Sequence, residues 1–263
     1  MSMGIADGAV MEQTREDGIP RLARDYVRAR GIGMEVLMMI GGGGESLLSH
    51  LPENVRNRIG ESVVSGMTGA LSAARASRRW SGRCPPVIER IIPGLTGALG
   101  GVAGLPGAVV ETPIAITLIL RAVLDEAERA GHDPDAEETQ REALRVLAYA
   151  GPLDDDDGSD FALVVTKMTV TGQTLAALAR SVAPHLAVSV SQKVAAQAIP
   201  VLGAAAGATI NVLFTNYYRE MARVHFAVLR EARATGEDPG EAFSRLRRIV
   251  REVRAERSVR RLP

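Results

Sequence analysis

One cysteine, Cys84, stands in 263 residues, which excludes an intrachain disulfide and any metal site built from several cysteines. Aromatic side chains are nearly as scarce: Trp80 is the only tryptophan, and tyrosine and phenylalanine number four each. A core built without them relies on Ala, Val, Leu and Ile, a composition that favours closely packed helices. No alternating apolar and polar run is long enough to require a strand. The four histidines, His50, His132, His185 and His225, lack the spacing of a metal-ligand pair, so no metal and no cofactor is expected. The first residues, MSMGIADGAVMEQTRED, contain no basic stretch leading into an apolar core and a cleavage site, which gives the expectation of a non-secreted, cytoplasmic protein.

The formal net charge is zero, but the charge is strongly segregated. From Asp125 to Asp160 there are thirteen carboxylates against three arginines, and from Arg245 to Arg261 eight arginines against two glutamates. The run Asp154 to Asp157 does not fit a calcium loop. Aligning Gly158 with the loop's fixed glycine leaves Leu153 and Val164 at the end ligand positions, so a solvated loop is the reading. Cys84, between Arg83 and Pro85, has no assigned base and reads as an ordinary thiol. Gly41 to Gly44 precede Glu45 and Ser46 rather than Lys and Ser/Thr, so they form a hinge and not a phosphate loop.

Residues 1–33 are polar and broken by glycines, and they read as a flexible arm with one short helix around Arg21 to Arg30. The folded body is expected over 34–230, opening with Val55, Ile59, Val63 and Met67 at helical spacing and Pro52 in the first turn. A long apolar helix is expected from Phe161 to about Val182. Residues 231–263 read as a basic amphipathic helix, with Phe243, Leu246, Val250 and Val253 on one face and Arg247, Arg248, Arg251 and Arg254 mostly on others. Three destinations fit it: the chain's own acidic belt, an anionic lipid surface, and, last, nucleic acid, for which no accompanying motif exists. The segments AVLDEAERAGHDP (122–134) and AVLREARATGEDP (227–239) agree at eight of thirteen positions. In each, the glycine suits a left-handed helix end, and Asp-Pro suits the cap and first position of the next helix. Independent recurrence of this helix-turn-helix chemistry is preferred to a duplication.

Two long glycine-rich segments organise the chain, residues 91–110 running into TPIAITLIL after Glu111, and residues 194–218 with no formal charge. Glycine inside a helix costs about 1 kcal/mol relative to alanine, so their density needs a reason. The spacings Gly97-xxx-Gly101, Gly100-xxx-Gly104 and Gly203-xxx-Gly207 supply one, a flat stripe that lets helices approach closely in protein or lipid. Pro93, Pro106 and Glu111 favour a helical core within protein over permanent spanning helices, with reversible insertion retained. Glu111 and Asn211 are the polar residues embedded in these runs, and a buried acid or amide needs partners. If the segments pack together, Glu111, Thr112, Asn211 and Thr215 form one polar site, with Arg121 or Lys167 as counter-charge. A network that fixes helix register is the preferred reading, catalysis or ligand binding the alternative.

The stretch GLTGALGGVAGLPGAVVETPIAITLILRAVLDEAERAGHDP, with GAAAGATINVLFTNYYREMARVHF further on, resembles the EcsC protein family over roughly residues 50–230. The resemblance rests on Gly104-Leu105-Pro106, Glu111 near Pro113, Gly131 with Asp133-Pro134, and Gly203, Gly207, Asn211 and Phe214. It implies a bacterial protein related to one encoded beside the subunits of an ABC transporter, in a system linked to secretion and intramembrane proteolysis, with no established catalysis. Members more often carry Asp where Glu111 stands.

The sequence therefore predicts an all-α bundle with both glycine-rich segments in its core. The preferred function is a peripheral membrane-associated adaptor or lipid-binding module, whose partner is an anionic membrane surface or a transporter. The alternative is a hydrolase acting on a lipid or peptide through Glu111. A homo-oligomer packed through its glycine faces is the third reading.

Overall fold

In the computed structural model, residues 18–29, 31, 51–82, 92–93, 104–149, 174–197 and 203–260 are described. Every regular element among them is helical, as the composition requires: α1 (residues 18–29), α2 (Glu53–Ser81), α3 (Gly104–Arg129), α4 (Glu137–Val146), α5 (Leu175–Gln197), α6 (Gly203–Thr235) and α7 (Pro239–Arg260).

Helix α2 starts where Pro52, at the cap position, lends its carbonyl to Val55 and Arg56. It buries Ile59, Val63, Met67, Leu71 and Ala74, one stripe at three- and four-residue spacing, and it ends at Gly82 with φ +63°. The stripe lies against α3 and α5. A Cβ added at Gly66 would stand 3.6 Å from Pro113, so α2 and α3 run close together there.

The C-terminal part of helix α5 occupies the interior. Residues 189–196 are all buried, which requires neighbours on every side, and α2, α3, α4 and α6 supply them. The helix begins on Thr174, whose hydroxyl accepts the Ala177 N–H, and it continues through Pro184 to Gln197 instead of stopping near Val182. The bond that Pro184 cannot make frees the carbonyl of Arg180, an exposed position where water can replace it. The uncharged run 194–218 is shared between two helices, α5 ending at Gln197 and α6 beginning at Gly203 on the other side of Pro200.

The repeated segments end their helices alike. Gly131 and Gly236 adopt φ +85° and +69°, and the N–H of the next residue returns to Ala127 O and Ala232 O respectively. They then diverge. Asp238 caps α7 through the Glu241 N–H, with Pro239 at its first position, as the sequence suggests. Asp133 instead accepts the N–H of Asp135, two residues on, so Pro134 lies in a turn and α4 starts only at Glu137.

Helix α1, expected within a flexible arm, is part of the body. Ile19, Ala23, Tyr26 and Val27 are buried, and Asp25 pairs with Arg223 of α6 at 3.1 Å. The apolar stripe of α7, Phe243, Leu246 and Val250, is buried with α6 as its main neighbour, and Arg245 reaches Glu237 at 2.7 Å.

Candidate functional site

Glu111 sits near the start of α3 and Asn211 two turns into α6, and the fold brings them together. Asn211 Nδ2 donates to Glu111 Oε1 at 2.8 Å and to the Pro93 carbonyl at 2.7 Å. The counter-charge comes from α5: Lys193 Nζ donates to the same Oε1 at 3.1 Å. All three are buried, at 5%, 2% and 3% exposure. Thr215 donates its hydroxyl to the Asn211 carbonyl at 2.9 Å, and Thr112 is buried beside Glu111 in the sequence. One carboxylate oxygen thus ties α3, α5 and α6. Burial pushes the Lys193 ammonium below its ordinary range, and the charge of Glu111 opposes that shift. Among the described residues, Glu111 Oε2 and the buried Ser189 hydroxyl, one turn before Lys193, have no hydrogen-bond partner.

Arg121 does not belong to this network. It lies ten residues along α3, about 15 Å down the axis, and donates to Ser77, Ser81 and the Gly82 carbonyl at the end of α2. Lys167, Gly97, Gly100 and Gly101 fall outside the described residues. Gly104 and Gly203 are the first residues of α3 and α6, with Gly207 one turn further into α6. The acidic loop, Cys84 and Gly41 to Gly44 also lie outside the described residues.

A second buried network was not visible in the sequence. His225 of α6, fully buried, receives Tyr149 Oη at Nδ1 (2.5 Å) and faces Glu142 Oε2 of α4 through Nε2 (2.8 Å), while Arg145 pairs with Glu142. Burial alone would raise the Glu142 carboxyl, but His225 and Arg145 outweigh it and hold the group below its ordinary range. Burial pushes the Tyr149 hydroxyl well up, with the Glu142 charge adding to it. Phe243 of α7 packs on the His225 ring at 4.9 Å between centroids, so the network joins α4, α6 and α7. Glu142 also lines a cavity of about 270 Å³ with His132, Thr139, Arg233 and Glu237. No group of histidine, cysteine and acidic side chains suited to a metal occurs among the described residues.

At the C-terminal end of α2, Arg78 is buried and pairs with Asp125 and Glu128. Arg75 and Arg79, one turn apart, both grip Asp135 in the turn after α3, with NH2 to Oδ1 distances of 3.2 and 3.0 Å. The Arg79 hydrogen bond, joined by that of Arg75, holds the Asp135 carboxyl below its ordinary range against the opposing effect of burial. Trp80 follows and is 96% exposed. On α7, Arg248, Arg251, Glu252 and Glu256 are exposed, and Arg247 and Arg254 are half-buried. The outer face of that helix therefore mixes both signs.

The class of protein is thus an all-helical bundle with two buried polar networks and no described helix long and apolar enough to cross a membrane. The chain belongs to the EcsC protein family, which it matches over residues 88–229. That span contains every polar member of both networks, while α1, α2 and α7, with Phe243, lie outside it. No curated protein and no solved structure matches the chain.

Proposed function

We propose that this chain is a peripheral membrane-binding module. The observation that carries the reading is a set of uncharged exposed positions on three mutually packed helices, α2, α3 and α5, with exposed Trp80 near the end of α2. On α2 no charged residue occurs between Glu61 and Arg75, and Val64, Ser65, Thr68, Gly69, Ser72 and Ala73 are exposed. On α3, Val110 and Ile114, one turn apart, are 75% and 50% exposed while Glu111 turns inward. On α5, Ser181, Pro184, His185 and Val188 are the outward positions between Arg180 and the buried Lys193.

Large exposed apolar side chains grouped on one face mark contact with a partner or a lipid surface. Arg58 and Glu61 stand at one end of this run on α2 and Arg75 and Arg79 at the other, with Arg121 and Arg180 on the neighbouring helices. An apolar face edged by guanidinium groups and an interfacial tryptophan suits an anionic bilayer surface: the apolar groups enter the headgroup boundary and the cations stay with the phosphates. Arg248 and Arg251 of α7 add a weaker second contact.

The test is flotation of the full chain with anionic and neutral vesicles. Trp80→Ala and Val110→Ser/Ile114→Ser should each weaken anionic binding about tenfold or more, as expected when a large apolar side chain no longer leaves water. Wild-type protein that stays at the bottom of the gradient with both vesicle types would refute the reading. The hydrolase reading has Glu111 and the depressed Lys193 in its favour. Their complete enclosure favours instead a lock that sets the register of α3, α5 and α6.

A further inference from the structure

Asp135 occupies an anion receptor. Arg75 and Arg79 approach it from one face of α2 with four N–H donors: Arg75 Nε and NH2 at 3.3 and 3.2 Å from Oδ1, Arg79 NH2 at 3.0 Å from Oδ1, and Arg79 Nε at 3.4 Å from Oδ2. Two guanidinium groups converging on one carboxylate is the arrangement that also binds a phosphate group, whose extra oxygens and charge serve the same donors better. A cavity of about 150 Å³ opens beside the pair, lined by Arg75, Arg78, Arg79, Glu128 and Asp135, so a second anion has room to enter.

Neighbouring charges are committed elsewhere. Arg78 is buried and shares its one charge between Asp125 and Glu128, and Arg121 spends its donors on the end of α2. The Asp135 contact, by contrast, is open to water, with side-chain exposures of 30%, 64% and 47% for Arg75, Arg79 and Asp135. Exposed pairs of this kind contribute little net stability, so exchanging one anion for another meets a small barrier in free energy.

We propose that Arg75 and Arg79 form a binding site for the phosphate of an anionic lipid headgroup, and that Asp135 keeps the site closed until the headgroup displaces it. The proposal rests on the membrane reading and deepens it. Trp80, next in the chain to Arg79, places the site at the depth where headgroups lie.

Asp135→Asn keeps the size of the side chain and removes its charge, and thermal unfolding of the variant checks the fold. With phosphatidylcholine vesicles containing phosphatidylglycerol, the variant should bind at least threefold more tightly than wild type, and with phosphatidylcholine alone no more tightly. Adding Arg75→Gln and Arg79→Gln should erase the gain. Asp135→Ser should behave as Asp135→Asn does, which covers a rearrangement peculiar to asparagine. If wild type floats with the anionic vesicles and the Asp135 variants bind no better, the closed-site proposal is overturned while the membrane reading stands. If nothing floats, the membrane reading fails. A phosphorus-31 titration with inorganic phosphate, tighter for Asp135→Asn, would then move the site from lipid to free phosphate and overturn the lipid assignment.

Discussion

Lys193 Nζ stands 3.1 Å from Glu111 Oε1 with both side chains buried, one on α5 and the other on α3. Asn211 of α6 completes the contact by donating to that same oxygen. A charge pair taken out of water gains little over an apolar pair of the same volume, yet the loss of one member leaves an uncompensated buried charge. The pair is therefore expected to matter more for the register of three helices than for net stability.

Removal of either charge alone tests this. Lys193→Met and Glu111→Leu should each lower unfolding stability by about 3–5 kcal/mol in urea titrations, and the double variant should recover most of the loss. Single-variant losses below about 1 kcal/mol, the range of exposed pairs, would show that the pair is hydrated in solution.

Glu142 predicts an acid dependence. Its carboxyl titrates below the ordinary 4.5 in the folded chain, so the unfolded chain binds the proton first as pH falls. The stability it supplies is full above 4.5 and is lost as pH drops through the lower, folded value. The stability difference between wild type and Glu142→Gln, measured from neutral pH down to about pH 3, should shrink over that window. A difference that stays constant would mean that His225 and Arg145 do not favour the ionised form.

Two glycine-to-alanine substitutions should differ in sign. At Gly131, with φ +85° and no atom near an added Cβ, the cost is purely conformational, about 1–2 kcal/mol. At Gly69, inside α2 with equally open space, alanine should stabilise by about 1 kcal/mol through helix propensity alone. Thermal unfolding of both variants reads the contrast, and stabilisation by Gly131→Ala would rule out the left-handed helix end.

Much of this architecture is legible in local sequence. The spacing of Ile59, Val63 and Met67 encodes the buried stripe of α2, and Gly131 and Gly236 mark helix ends because only glycine adopts positive φ cheaply. Glu111 and Asn211 could be paired because each is a polar group inside an apolar run, and burial obliges such groups to find each other. Lys193 left a fainter trace. It is one of two lysines in the chain and the only lysine or arginine between Arg180 and Arg219, but it stands at the edge of the uncharged run. The helix cap expected at Asp133 failed because a competing local bond, to the Asp135 N–H, took its carboxylate.

What the sequence determined by itself is the all-helical class, the helix stripes and the polar residues that burial forces to pair, since these follow from periodicity, backbone preference and the cost of an unpaired polar group. Only the tertiary structure decided which partners they find. Tyr149, His225 and Glu142 come from positions 76 and 83 residues apart, Lys193 displaces Arg121 as the counter-charge, and Asp135 meets arginines from α2. The reason is physical: a hydrogen bond or an ion pair needs contact within a few ångströms, and contact between distant segments is set by how helices pack, which no local pattern records.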